Sequence, residues 1–142
     1  PGWKLTNCAH VFRVGLPSAR GRGPRKSFTT HPFSEASPVM ISRKVEIPKG
    51  KTTTLKLSVT GYEGRDQQWE LLVRVDMADV FQKVIKGSKK RHFPVQDTQE
   101  IDIDLTPYAG KEIMIDLYNR PAPGGNPLTA LAYWDRIDIV SE

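Results

Sequence analysis

The residues with chemistry to offer are few. They are His10, His31 and His92, the lone Cys8, and a set of carboxylates in which Asp102 and Asp104 stand two apart. The histidines are too scattered to announce a relay. Cys8 and His10 would share one face of a strand, which permits a thiolate–imidazole pair, but a small buried thiol is the commoner use of such a position. Gly21-Arg22-Gly23-Pro24-Arg25-Lys26-Ser27 ends like a phosphate loop. It has Arg25 where glycine is required, and Pro24 removes a backbone N–H that would cradle phosphate. No nucleophile elbow and no His-Glu-x-x-His pair is present. Asp102 and Asp104 are spaced for glycoside hydrolysis, which needs two carboxyls about 5–9 Å apart. They alternate with Ile101, Ile103 and Leu105, so they point to solvent, where nothing raises an acid's pKa. The chain reads as non-catalytic.

Asp135 is more informative. It shares parity with Ile137 and Ile139, so plain alternation aims it inward. Three resolutions are open: a hard cation such as Ca²⁺, an Arg or backbone partner, or a bulge near Trp134 that resets the parity. Among the aromatics, Trp69 opens an alternating run and belongs to the core. Tyr133 and Trp134 are adjacent and must face opposite ways. Tyr62 lies in a Gly61–Gly64 loop, where a ring can serve as a stacking platform.

The elements that position these residues have period two. Runs from Val39 to Ile47, Thr52 to Thr60, Trp69 to Asp76, Val80 to Ile85, Ile101 to Leu105, Ile113 to Tyr118 and around Ile137–Ile139 each have apolar residues at alternate positions or β-branched enrichment. Turn chemistry bounds them, for example Pro48-Lys49-Gly50-Lys51 and Thr106-Pro107-Tyr108-Ala109-Gly110-Lys111. With one more strand within residues 3–14, about eight strands are expected. That predicts an all-β domain, a two-sheet antiparallel β-sandwich of the jelly-roll kind, spanning residues 1–142. Residues 15–38 read as an irregular basic excursion punctuated by Pro17, Pro24, Pro32 and Pro38, and residues 120–127 read as a Pro/Gly loop.

Composition narrows the class. The chain has 142 residues, 38% apolar and 26% charged, enough for a real core. No apolar run approaches a bilayer span, so no membrane partner is expected. One cysteine excludes an internal disulfide or a thiolate metal site. The start at Pro1 suggests a piece of a larger protein. The net charge of +5 is uneven: residues 1–51 hold ten Lys/Arg against two Glu. Two clusters stand out, Arg20, Arg22, Arg25 and Lys26, and then Lys83, Lys86, Lys89, Lys90 and Arg91. Such fields attract polyanions, including acidic polysaccharides. Nucleic acid is disfavoured, since no helix is available for a groove and no aromatic–basic stacking sheet is evident.

Several segments together resemble galactose-binding-domain-like jelly rolls, the fold of many carbohydrate-binding modules. They are Lys51-Thr52-Thr53-Thr54-Leu55-Lys56-Leu57-Ser58-Val59, Trp69 to Asp76, Asp104 to Lys111 and the closing Ala132-Tyr133-Trp134-Asp135-Arg136-Ile137-Asp138-Ile139. The resemblance covers residues 40–140. It implies a non-catalytic accessory domain of secreted bacterial proteins, extracellular or periplasmic, with polysaccharide or oligosaccharide and neighbouring domains as partners. It also implies a structural calcium, with Asp135 at the matching position. The expected site is formed by loops at one end of the sandwich, with Arg25, His31, Tyr62, Arg65, Asn119, Arg120 and Trp134 as ligand-binding candidates. The alternative is a structural or partner-docking domain with no glycan ligand.

Overall fold

A computed structural model describes residues 2–7, 28–32, 36–61, 67–87, 98–126 and 130–142. Nine strands run through them: β1 (Lys4–Thr6), β2 (Phe28–Thr30), β3 (Val39–Glu46), β4 (Thr53–Gly61), β5 (Gln68–Val75), β6 (Ala78–Lys86), β7 (Gln99–Asp104), β8 (Glu112–Pro121) and β9 (Ala132–Ser141). A five-stranded sheet has the order β1-β3-β8-β5-β6, and a four-stranded sheet has the order β2-β9-β4-β7. Neighbouring strands pair antiparallel throughout. This is the expected all-β sandwich, with one more strand than the periodicity suggested. The addition is β2, which sits inside the segment read as irregular; residues 15–27 and 33–35 of that segment lie outside the described residues.

Alternation builds the core. Leu55, Leu57 and Val59 of β4 face Trp69, Leu71, Val73 and Val75 of β5, and Ile113, Ile115 and Leu117 of β8 complete the same layer. Each such side chain contributes about 1.5–3 kcal/mol on removal from water. Trp69 and Trp134 meet inside the loop-bearing end of the core, with ring centroids 5.2 Å apart and planes tilted by 50°. Their indole N–H groups donate to the Thr60 carbonyl at 3.1 Å and to Thr30 Oγ1 at 2.9 Å, so neither ring carries an unmet donor into the interior. Arg43 has core-facing parity at the margin of its sheet, and its guanidinium lies 5.8 Å from the centroid of Trp3.

The two ends of the sandwich differ. At one end, residues 47–52, 76–77 and 105–111 connect the strands, and backbone hydrogen bonds lace them together. The Ile47 N–H donates to the Lys111 carbonyl at 2.9 Å, the Gly110 N–H donates to the Ile47 carbonyl at 2.7 Å, and Thr52 and Glu142 bond each other reciprocally. The β5–β6 turn has only Asp76 and Met77 between the paired Val75 and Ala78, both at positive φ (48° and 69°), as a type I′ hairpin requires. The sequence pattern suggests a tight connection near Met77-Ala78-Asp79, one residue further along. At the opposite end, strands β2, β4, β6 and β8 finish and β3, β5, β7 and β9 begin. Gly61 and Gly87 join the two sheets there through a parallel bridge. A Cβ on Gly61 would stand 2.9 Å from the Gly87 backbone, so the approach requires glycine.

Candidate functional site

The loop-bearing end is where the expected site belongs, and the strand ends there carry three layers of polar residues. The innermost layer is buried. Asn119, on the core-facing side of β8, donates from Nδ2 to the Thr30 carbonyl at 3.1 Å and to Thr30 Oγ1 at 2.8 Å. Its Oδ1 is buried and meets no donor among the described residues. Asn119 was expected beside a loop starting at Arg120; the strand continues through Arg120 to Pro121, because β8 pairs in register with β5 as far as Trp69–Pro121. Trp134 was expected as a stacking ring. It is 1% exposed and spent on Trp69, so no sugar can reach it. Both residues form the floor of this end rather than its surface.

At Asp135 the structure shows the parity-resetting bulge. Val59 pairs with Trp134 and Ser58 with Arg136, so Asp135 is the extra residue of a β-bulge. The bulge resets the parity, turning Trp134 inward and letting Ile137 and Ile139 return to the core side. Among the described residues, no three His, Cys, Asp or Glu side chains gather as a metal centre. Tyr133 takes the opposite face from Trp134, paired with Thr29 and Thr60.

The second layer is His31, half-buried just beyond β2. Arg25, Tyr62 and Arg65 lie outside the described residues. Gly61, which precedes Tyr62, and Gly87, which precedes the Lys89-Lys90-Arg91 run, are bridged.

The third layer is on the outer face of the five-stranded sheet, the face turned away from the core. Arg120 donates from Nε to Glu70 Oε1, and Gln82 donates from Nε2 to Glu70 Oε2 at 2.9 Å. Glu70 is 3% exposed and Arg120 35%. Further along the same face Leu72 pairs with Tyr118, then Arg74 with Asp116. Ser42 donates to Asp116 Oδ1 at 2.7 Å. Arg74 donates from Nε to Asp79 at 2.6 Å and lies 5.1 Å from the centroid of the Tyr118 ring. The hydrogen bond to Asp79, and then that to Tyr118, raises the Arg74 pKa further above its ordinary value. Sequence reasoning identified Arg120 but not its partners. The signal was present, since Glu70, Leu72 and Arg74 are the odd-phase positions of a strand whose other phase is core. Only the β5–β8 register reveals that they oppose Arg120, Tyr118 and Asp116.

The outer face of the other sheet is different in kind. Asp102 is exposed and bonded to Lys56 at 3.2 Å, and Asp104 is exposed and accepts the Thr106 N–H at 2.9 Å. The two carboxylates therefore point to solvent, each engaged locally.

Neither a family model nor a curated protein matches the chain. Solved structures do. CBM35 from Paenibacillus barcinonensis superposes with a TM-score of 0.57 at 13% identity, covering 99% of this chain and 94% of its own. The carbohydrate-binding module CBM36, solved in complex with calcium and xylotriose, gives 0.55 at 10% identity, covering 98% and 92%. A cyclase from Fischerella sp. TAU gives 0.57 at 12% identity, covering 100% and 85%. At these identities the likeness concerns the fold, which carries binding in some proteins and catalysis in others. The chain has the two-sheet jelly-roll fold that these carbohydrate-binding modules share with the cyclase.

Proposed function

We propose that this chain is a non-catalytic carbohydrate-binding module that takes polysaccharide at the loop-bearing end of its sandwich, with acidic polymers preferred. The observation that carries the reading is the asymmetry of the two ends. One is closed by its own backbone hydrogen bonds. At the other, strands β2, β4, β6 and β8 end and β3, β5, β7 and β9 begin, and Asn119 and Trp134 both bond Thr30. The basic residues Arg25, Arg65, Lys89, Lys90 and Arg91 belong to chain segments that leave or approach this end, which favours a polyanion. Tyr62, which follows Gly61 in the chain, would supply a ring, and His31 and Arg120 polar contacts. Structures with the same fold were solved with xylotriose and with β-1,4-galactotriose, which supports a glycan as the ligand class. The same reading sets the chain in an extracellular or periplasmic protein, beside neighbouring domains.

Calorimetric titration of the chain against neutral, uronic and sulfated polysaccharides tests this. Saturable binding to at least one acidic polymer is expected, weakened about tenfold, or about 1.4 kcal/mol, by Tyr62→Ala or Arg65→Ala. Flat titrations across the whole panel would sink the reading.

A further inference from the structure

We propose that the flank formed by β6 and β7 is an interface with a second copy of this chain, in which β6 of one copy pairs with β7 of the other about a two-fold axis running along the strands. The proposal is independent of the carbohydrate reading above. Its starting point is an imbalance between the sheet edges. At one edge each sheet ends in a three-residue strand, β1 or β2. At the other edge the sheets end in β6, nine residues long, and β7, six residues long. Among the described residues β6 pairs only with β5 and β7 only with β4, so each presents an outer row of backbone N–H and C=O groups with no strand beside it. Such a row is a template for another chain. β6 is also uncovered: Val80 and Val84 are each 37% exposed, and of residues 78–84 only Phe81 is half-buried.

The two edges share one flank. Lys83 of β6 donates from Nζ to Gln99 Oε1 of β7 at 3.0 Å, from one sheet to the other. β6 leads into the parallel bridge between Gly87 and Gly61 of β4, and β7 runs antiparallel to β4, so β6 and β7 run in opposite directions. A two-fold axis along the strands preserves strand direction and exchanges the sheets. It sets β6 antiparallel beside the second copy's β7, and β7 beside the second copy's β6. Both open edges on this flank close at once, as an isologous contact requires. The β-bulge between the Val73–Phe81 and Arg74–Asp79 pairs leaves Phe81–Lys86 as the regular stretch of β6, six residues against the six of β7.

Charge selects this pairing over like with like. β6 carries Lys83 and Lys86, and its one acid, Asp79, is held by Arg74 at 2.6 Å. β7 carries Glu100, Asp102 and Asp104 and no base. A two-fold axis perpendicular to the sheets would set β7 against β7, three carboxylates facing three, and β6 against β6, lysines facing lysines; like charges across a strand pair are destabilising. Lysine on an edge ordinarily discourages strand addition. Here that guard turns away basic and plainly apolar strands and admits an acidic one, which makes the second copy's β7 the matching occupant.

Sedimentation velocity on the full chain over a range of concentrations tests this. The native chain is expected to form a dimer and no larger species. Lys83→Glu with Lys86→Glu is expected to weaken the dimer about a hundredfold, and so is Glu100→Lys with Asp102→Lys. The chain carrying all four changes is expected to dimerise again, because the signs are exchanged between the two edges rather than lost. Like-with-like pairing predicts neither outcome, since reversing every charge on one edge leaves that edge facing its own sign. Circular dichroism reports whether each variant keeps its sheets. If a variant does not fold, amide hydrogen exchange of the native chain carries the test, and protection of the β6 and β7 amides is expected to rise with protein concentration. A native chain that stays monomeric at about 1 mM, a dimer that survives either reversal, or exchange protection that ignores concentration overturns the proposal.

Discussion

Glu70 lies on the solvent side of β5 yet is almost fully covered, and that position makes it the residue whose removal is most informative. Its two oxygens accept from Arg120 and Gln82. Truncation to alanine would leave the Arg120 guanidinium without its partner and open a gap beside Leu72. Because Arg120 is about one-third exposed, water takes over part of the lost bonding, so Glu70→Ala is expected to cost about 1–3 kcal/mol in urea denaturation. Glu70→Gln keeps an acceptor for one donor and should cost less; equal losses would show that the charge pair contributes nothing beyond shape. Asp104 shows the opposite situation, a fully exposed acid with a local partner. Hydrogen bonding to the Thr106 side chain, and then to its backbone, lowers its pKa below the usual carboxylate range. A carboxyl with a folded pKa below its unfolded one stabilises the fold above the unfolded value and loses that contribution as pH falls through the folded value. The melting-temperature gap between the native chain and Asp104→Asn should therefore be present at neutral pH and close in strong acid. A gap that stays constant down that range would remove Asp104 from the account.

At the scale of elements, what was legible depended on whether a strand keeps its period. β4, β5, β7 and β8 alternate without interruption over their core-facing stretch, so their faces could be assigned from residue types alone. β9 could not be, because the Asp135 bulge reverses parity halfway along, and no residue type announces which of three resolutions is adopted. The β8 terminus was hidden for another reason. Asn119, Arg120 and Pro121 look like loop chemistry, but pairing with β5 overrides that local preference. The bridge between Gly61 and Gly87 was likewise invisible, since each glycine sat among turn residues and neither names its partner. That bridge supports a prediction. Gly61→Ala places a methyl group against the Gly87 backbone, which cannot move aside as a side-chain end can. The expected loss is about 1–3 kcal/mol, read by urea denaturation. Gly50→Ala, with open space around its Cβ but a φ of +72°, should cost about 1 kcal/mol through backbone strain alone.

For the whole molecule, the question is whether ligand preference follows total charge or its placement. Composition shows a basic chain, but it cannot show which end of the sandwich its basic segments leave and which end is closed by backbone hydrogen bonds. Two triple variants separate the possibilities. Lys89→Ala, Lys90→Ala and Arg91→Ala remove three positive charges from the segment that follows Gly87. Lys49→Ala, Lys51→Ala and Lys111→Ala remove three from the closed end, so both proteins start from the same +5 and lose the same amount. If total charge governs, both lose affinity for an acidic polysaccharide equally. If placement governs, only the first set weakens binding, by about tenfold at low ionic strength. The effect should fade near physiological salt, where the Debye length shrinks to about 8 Å and distant charges cease to contribute. Calorimetry at two salt concentrations distinguishes the cases, and equal losses in the two variants would reduce the loop-bearing end from a recognition site to one part of a generally basic surface.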